Sequence, residues 1–195
     1  MNKIYVITGK SSCGKDTVFR ELLKDESLKL RKLVGYTTRP MRDGETEGEE
    51  YHFVSTRELE NFRLRDKLIE CRNYDTVHGI WSYATVDDGQ VKLQKKSYLY
   101  IGTLESFEAI RKYYGKEVVV PFYLQVDDGL RLQRALNRER NQENPKYQEM
   151  CRRFLADEED FSEEKLEELG ITNRFDNTNL TECIEQIKEV IKQEK

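Results

Sequence analysis

The feature that most constrains the fold of this chain is a glycine-bounded loop that ends in a lysine, Gly9-Lys10-Ser11-Ser12-Cys13-Gly14-Lys15. An apolar run over residues 4–7 precedes it and is typical of a buried parallel strand, and apolar residues recur at helical spacing over residues 18–23. Strand, G-x-x-x-x-G-K loop and helix in this order are typical of a phosphate site, because backbone N–H groups and the helix dipole surround an anion. The sequence therefore predicts that the loop binds a nucleoside triphosphate and that Lys15 contacts its β- and γ-phosphates.

The residue after this lysine departs from the usual pattern. A Ser or Thr there ligates Mg²⁺ through its hydroxyl, whereas this chain has Asp16 followed by Thr17. A carboxylate beside a phosphate is repelled unless a cation lies between them. Three roles are open for Asp16: it ligates Mg²⁺ directly or through water, it faces away and leaves the metal to water and Thr17, or it only complements the dipole of the first helical turn.

Length and composition limit the classes of protein. The 195 residues give room for one core with insertions rather than for two full domains. A net charge of −4, with basic residues dispersed among acidic ones, argues against a nucleic-acid partner. The four cysteines are far apart and there are two histidines, so neither a disulfide framework nor a zinc site is expected. With no visible signal peptide or membrane span, we expect a cytoplasmic protein without a membrane partner; its oligomeric state stays open.

Apolar runs alternate with helical patterns along much of the chain, which indicates a parallel α/β core with the phosphate loop after its first strand. Between residues 35 and 86 several short strands accompany one evident helix, which indicates a small antiparallel insertion. A polar, Arg-rich segment over residues 137–156 is expected to form a mobile lid. We therefore divide the single domain into a core (about 1–34, 97–136 and 157–195), an acceptor lobe (about 35–96) and a lid (about 137–156).

Several helices have clear sequence signals. In the helix that follows Asp127, the pattern predicts that Leu132 lies on the apolar face and that Arg131, Arg134 and Arg138 lie on the exposed face. The other signals are a capping box at Ser55 and Glu58, a glycine stop at Gly115, and a cap formed by Asn179 with Glu182.

A second cluster of functional residues is Thr37-Thr38-Arg39-Pro40-Met41-Arg42-Asp43-Gly44-Glu45, followed by Gly48-Glu49-Glu50-Tyr51-His52-Phe53. A guanidinium group suits paired hydrogen bonds to phosphate oxygens and a tyrosine adds a hydroxyl donor, so Arg39, Arg42 and Tyr51 are candidates to bind a phosphate monoester. An arginine pair in a loop is most often solvated surface. Beside a phosphate loop, we interpret it as a clamp for the phosphate of a second substrate.

These motifs resemble those of the guanylate kinase family, whose acceptor lobe carries T-T-R-x-P-R-x-G-E and then G-x-x-Y-x-F. The likeness continues at Leu68-Ile69-Glu70, which is similar to the F-I-E whose Glu reads guanine. It spans nearly the whole chain, most strongly residues 4–54 and least residues 75–103. It implies a P-loop NTPase-type parallel sheet flanked by helices, an inserted β-rich nucleoside-monophosphate-binding lobe and a helical lid.

The resemblance also implies roles for residues further along. Tyr83-Ala84-Thr85 is similar to Y-G-[ST], whose Tyr and hydroxyl contact the acceptor nucleotide. Arg134 and Arg138 have the R-x-x-x-R spacing of the family's lid, Arg153 lies where another lid arginine is expected, and Asn177 resembles the Asn that contacts adenine of ATP. The residues predicted to act on the transferring phosphoryl group are Lys15, Arg39, Arg134, Arg138 and Arg153.

Three departures from the family pattern concern the same site. Gly35 replaces a usual Ser, and Tyr100 and Gly102 replace both acids of an L-D-I-D strand. The third departure is Asp16. Charge conservation suggests the hypothesis that the carboxylate of Asp16 compensates for the lost strand acids.

The resemblance implies an ATP-dependent nucleoside-monophosphate kinase with Mg²⁺ as cofactor, which converts ATP and GMP to ADP and GDP by in-line transfer, with GMP or dGMP as the favoured acceptor. One alternative is a kinase of a different (deoxy)nucleotide or small phosphomonoester; Glu70 argues against it, and Gly35 and the lost strand acids argue for it. The other alternative is a non-catalytic guanylate-kinase-like binding module, against which the retained loop glycines and Lys15 argue.

Overall fold

A computed structural model describes residues 1–76 and 79–194 of the chain. In chain order the helices and strands are β1 (Ile4–Thr8), α1 (Lys15–Lys24), β2 (Leu30–Lys32), β3 (Tyr36–Thr37), β4 (His52–Phe53), α2 (Thr56–Leu64), β5 (Leu68–Thr76), β6 (Gly79–Val86), β7 (Ser97–Ile101), α3 (Leu104–Tyr114), β8 (Val119–Gln125), α4 (Asp128–Arg140), α5 (Tyr147–Asp160), α6 (Glu163–Glu168), β9 (Arg174–Asp176) and α7 (Leu180–Gln193).

The centre of the fold is a parallel sheet. In the described part of the chain its strand order is β2-β7-β1-β8-β9, and every pairing is parallel. Strand β1 is fully buried because helices cover both faces of the sheet, with α1 and α7 on one side and α3 on the other. The phosphate loop follows β1 directly and leads into α1. The predicted parallel α/β core is confirmed.

The insertion between β2 and β7 forms a second, smaller sheet. Among the described residues its order is β4-β3-β6-β5, with β6 antiparallel to both β3 and β5. One face of this sheet packs on α2, through Tyr36, Ala84 and Val86 against Leu59. The opposite face carries polar side chains and turns toward the central sheet. This agrees with the antiparallel insertion that the short strands predict.

Helix α4 is rotated relative to the sequence prediction. Leu132, which we expected on the apolar face, is 41 % exposed, and Arg131, which we expected in solvent, is 1 % exposed. The reason is a partner that lies 26 residues away: Asp157 of α5 accepts a hydrogen bond from Arg131, so the arginine is turned inward. The prediction for Arg131 is wrong because apolar periodicity does not register a buried ion pair.

The local helix signals are confirmed. Ser55 and Glu58 form a reciprocal capping box on α2, and the side chain of Asn179 caps α7 by accepting from the N–H groups of Thr181 and Glu182. Helix α3 ends at Gly115. A search of residues 1–76 and 79–194 finds no helix with the length and apolar character needed to cross a membrane.

Candidate active site

The phosphate loop has a backbone that only glycine tolerates at its two ends. Gly9 has φ 146° and Gly14 has φ 92°, both in the region that side chains avoid. A Cβ on Gly9 would lie 2.4 Å from the carbonyl oxygen of Leu124. A Cβ on Gly14 would lie 2.4 Å from Nδ2 of Asn177. The two glycines therefore allow the loop to curl tightly between β1 and α1.

Lys15 folds back over this loop. Its Nζ donates to the carbonyl oxygens of Gly9 (2.7 Å) and Lys10 (3.0 Å). The ammonium group thus lies at the mouth of the loop, on the side to which phosphate oxygens bind in sites of this type. Cys13 is fully buried in the loop, and its burial raises the pKa of the thiol, so this group is a packing element rather than a thiolate.

Asn177 supports the loop from behind. Its Nδ2 donates to the carbonyl oxygen of Cys13 at 2.8 Å, and its side chain is buried with Oδ1 lacking a hydrogen-bond partner among the described residues. Its backbone carbonyl accepts from Arg134 at 3.1 Å. Asn177 therefore couples the end of β9 to the loop and to α4, and its predicted contact with adenine stays a prediction.

The lid helix α5 lies against the loop. Arg153 donates to the hydroxyl of Ser11 at 3.2 Å, so two of the predicted lid arginines, Arg134 and Arg153, contact the loop or its support. Arg138 stays half exposed, with its Nε 3.8 Å from a carboxylate oxygen of Glu139. The structure thus places the guanidinium of Arg138 in solvent, available to a ligand.

A buried arginine that we did not predict to be functional joins the lid to the loop. Arg131 donates to Asp128 (2.8 Å), Glu158 (2.8 Å) and Asp157 (3.3 Å), and to the carbonyl oxygen of Ser11 (3.2 Å). Asp157 also accepts from the backbone N–H of Ser11 at 2.7 Å. The one signal in the sequence was the i,i+3 spacing of Asp128 and Arg131, which is common on solvated helices.

In the predicted phosphate clamp, a carboxylate holds the first arginine in place. Arg39 is 4 % exposed and donates to both oxygens of Glu45, at 2.8 and 2.9 Å. Glu45 also accepts from the backbone N–H of Arg42 at 2.7 Å, which fixes the turn between the two arginines. The guanidinium of Arg39 lies 5.8 Å from the ring centre of Tyr51. Burial raises the pKa of the Tyr51 hydroxyl, so it remains a hydrogen-bond donor at neutral pH.

The polar face of the lobe sheet carries the predicted base reader. Glu70 is paired with Thr85 across β5 and β6, and the Thr85 hydroxyl donates to its carboxylate at 2.8 Å. The hydroxyls of Thr85 and Tyr100 are 3.2 Å apart, so Tyr100 of the central sheet is the third member of a hydrogen-bonded group with Thr85 and Glu70. Glu70 lines an open cleft of about 950 Å³ between the lobe and α3. Tyr83, on the same face, packs edge-on against Tyr51 at 5.5 Å.

Tyr100 packs between Gly35 and Gly102. A Cβ on Gly35 would lie 3.4 Å from the hydroxyl of Tyr100, an ordinary van der Waals contact, whereas a Cβ on Gly102 would lie 2.3 Å from Oγ of Ser106 and 3.0 Å from the Tyr100 ring. Position 102 is therefore too crowded for a side chain, with Ser106 as the nearest obstacle, while position 35 is not. Burial raises the pKa of Tyr100 to about 12, so its hydroxyl stays neutral and does not replace the charge of an acid.

A parallel sheet with a phosphate loop after its first strand, an inserted β-rich lobe with the predicted phosphate clamp, and an arginine-bearing helix against the loop are the arrangement of a P-loop nucleotide phosphotransferase. The family model described as "Guanylate kinase" matches residues 1–194. The chain belongs to the guanylate kinase family. This confirms the predicted P-loop fold and the predicted function, an ATP-dependent guanylate kinase, and neither alternative is favoured.

Individual relatives agree with this assignment. The chain is similar to a guanylate kinase of Porphyromonas gingivalis, with 28 % identity over 195 residues that cover 99 % of this chain and 98 % of the relative. It is 43 % identical to a guanylate kinase of Brucella melitensis over 74 residues, 38 % of this chain and 32 % of that protein. The crystal structure of guanylate kinase from Anaplasma phagocytophilum matches its fold with a TM-score of 0.66 and 20 % identity, covering 99 % of this chain and 86 % of that one.

Proposed function

We propose that this enzyme transfers the γ-phosphoryl group of ATP to GMP or dGMP through the residues described above, without a covalent enzyme intermediate. The observation that supports the proposal is the Arg39–Glu45 pair, a preformed and largely buried guanidinium–carboxylate contact in a lobe that also carries the carboxylate of Glu70, in a chain with a glycine-bounded phosphate loop. Phosphoryl transfer needs positioning and charge stabilisation rather than a protein nucleophile. These elements supply both.

Each substrate has its own set of residues in this proposal. The loop over residues 9–17 holds the phosphates of ATP, and Lys15 turns from the loop carbonyls to the β- and γ-phosphates. Arg39, Arg42 and Tyr51 hold the phosphate of the acceptor, with Tyr83 and Thr85 beside the nucleoside. Arg134, Arg138 and Arg153 neutralise charge on the transferring group as the lid closes and excludes water.

We infer that Mg²⁺ binds between the loop and the acceptor clamp, held by Asp16 and Thr17 together with phosphate oxygens and water. Asp16 is exposed in the first turn of α1, and its charge is among those that act on the Tyr51 hydroxyl, behind burial as the main cause of the raised pKa. Carboxylate and hydroxyl oxygens fit the hard Mg²⁺ ion. When bound there, the ion neutralises charge that develops on the phosphate oxygens.

Substitution of Asp16 by Asn tests this metal site. We expect the Mg²⁺ concentration that gives the half-maximal rate to rise about tenfold or more, because a charged ligand is lost. Steady-state rates at saturating ATP over a range of Mg²⁺ concentrations measure the shift. Glu21→Gln, on the same helix and paired with Lys24, serves as the control. An unchanged Mg²⁺ dependence in Asp16→Asn removes the proposed role.

The identity of the acceptor is tested by measuring ADP production from ATP and Mg²⁺ with one candidate acceptor at a time: GMP, dGMP, AMP, CMP, UMP or dTMP. We expect turnover that is confined to GMP and dGMP. If none of these acceptors reacts while ATP still raises the melting temperature, the lobe serves another phosphomonoester. If ATP leaves the melting temperature unchanged as well, the chain is a binding module.

Substitution of Glu70 by Ala is expected to relax base choice. Guanine donates N1–H and its 2-amino group to the carboxylate, whereas adenine has no donor at N1. In Glu70→Ala the transition-state stabilisation for GMP should therefore fall by about 2–4 kcal/mol, which lowers kcat/KM, while kcat/KM for AMP changes little. Initial rates with both nucleotides give the ratio. Glu60→Ala, an exposed carboxylate of α2 in the same lobe, is the control. If GMP kinetics are unaffected by Glu70→Ala, another group reads the base.

A further inference from the structure

The base pocket contains an arginine that belongs to none of the motifs above. Arg72 lies two residues after Glu70 on β5, and alternate residues of a strand point to the same face. Its Nε donates to Glu70 Oε2 at 3.0 Å, one terminal nitrogen lies 3.4 Å from Oε1, and the other donates to the Thr103 hydroxyl at 3.2 Å. The guanidinium therefore bridges the lobe sheet and the start of α3. Glu70, Arg72 and Thr103 all line the acceptor cleft.

This contact changes the charge of the pocket. The Glu70 side chain is 9 % exposed and the Arg72 side chain 17 %, so they form a largely buried ion pair. Tyr100 and Gly102 leave the neighbouring strand without the two acids of the family pattern, and the Tyr100 hydroxyl is neutral. The base pocket of this chain thus offers one carboxylate beside one guanidinium.

The guanidinium retains hydrogen-bonding capacity. It carries five N–H groups, and the contacts to Glu70 and Thr103 engage three of them. Among the described residues the other two N–H groups, one on each terminal nitrogen, have no hydrogen-bond partner, and Arg72 lines the cleft. On the carboxylate, Oε2 accepts from Arg72 and keeps a lone pair for a ligand. Arg72 and Glu70 together present a donor next to an acceptor.

We propose that Arg72 is a specificity-determining residue that reads the 6-oxygen of the acceptor base, beside the N1–H that Glu70 reads through Oε2. This rests on the proposed function, since it presupposes a guanine acceptor. The Watson–Crick edge of guanine places the O6 acceptor beside the N1–H donor, complementary to a guanidinium beside a carboxylate. Adenine reverses the pattern, because its 6-amino donor faces the guanidinium and its N1 lone pair faces the carboxylate. The pair therefore penalises adenine at two atoms.

The test compares GMP with 6-thio-GMP, which retains N1–H and the 2-amino group but carries sulfur, a weak acceptor, in place of O6. In the unmodified enzyme KM for 6-thio-GMP should exceed KM for GMP about tenfold, the effect of a lost hydrogen bond to a charged group. In Arg72→Ala, KM for GMP should rise about tenfold or more and the ratio of the two KM values should fall to near 1. We expect kcat to change far less, because Arg72 contacts the base and not the transferring group.

The ratio separates base reading from a structural role. If Arg72 were only the counter-ion of Glu70, its loss would raise both KM values equally and leave their ratio as in the unmodified enzyme, which would overturn the proposal. Arg63→Ala, on the exposed side of α2, is the matched control and should change neither value. Where Arg72→Ala lowers the melting temperature, Arg72→Met fills the same space without donors and is measured in the same way. Absence of GMP turnover in the unmodified enzyme contradicts the proposed function itself.

Discussion

Replacement of Lys15 by Ala is expected to lower kcat by about 10²–10³-fold. The Lys15 ammonium is held against the phosphate loop by the carbonyl oxygens of Gly9 and Lys10. In the transition state it offsets the charge that develops on the transferring group and the leaving oxygen. Alanine removes this interaction and leaves the loop glycines and the acceptor lobe in place. Steady-state ADP production at saturating ATP and GMP measures the loss.

The control for this variant is Lys24→Ala, at the far end of the same helix, where the lysine pairs with Glu21 in solvent. Its activity should stay near that of the unmodified enzyme. Unfolding curves of both variants show whether the fold is retained. If Lys15→Ala keeps its activity within a few-fold, the loop does not position the transferring phosphate and the roles assigned to it are wrong.

Replacement of Arg131 by Leu is expected to lower the free energy of unfolding by about 3 kcal/mol. Removal of one partner from a buried ionic cluster costs about 3–5 kcal/mol, and the lower end applies because Asp128 and Glu158 are partly exposed. Without the guanidinium, Glu158 keeps its pair with Lys10, whereas Asp157 keeps the N–H of Ser11 but loses the cation beside it. The melting temperature should fall by about 6–12 °C for a chain of this length. Urea unfolding followed by circular dichroism measures the loss.

Arg152→Leu is the matched control, since Arg152 is on the same lid helix and its pair with Glu149 is solvent-exposed. Exposed pairs contribute about 1 kcal/mol or less. Addition of Asp157→Ala to Arg131→Leu should restore part of the lost stability, because it removes an uncompensated buried carboxylate. If Arg131→Leu and Arg152→Leu lower the free energy of unfolding equally, the buried cluster contributes no more stability than a surface pair.

The elements that were predicted correctly depend on neighbours in sequence. The phosphate loop, the capping box at Ser55 and the Asn179 cap follow from the residues at each position and their immediate flanks, because backbone geometry and capping bonds act over a few residues. The arginine turn of Arg39 and Arg42 could be located in the same way. That Glu45 binds Arg39 through both oxygens was not predicted, although Glu45 lies within the motif.

The other errors and omissions involve contacts between distant segments. Arg131 and Asp157 are 26 residues apart, and Arg72 donates to Thr103 across 31 residues. A charged residue on a helix or strand has the same sequence signature whether it lies in solvent or in a buried pair. Its burial depends on which distant segment packs over it, and the local sequence pattern does not predict that contact.

The sequence by itself determined the fold class, the phosphate loop, the acceptor motif and, through resemblance, the family. Local backbone geometry and apolar periodicity suffice for these. Only the tertiary structure decided that Asn177 supports the loop through Cys13, that position 102 is crowded by Ser106 and Tyr100, and that Arg72 pairs with Glu70. These features arise because packing brings segments that are far apart in the chain into contact, so that side-chain volume and charge must be matched between them.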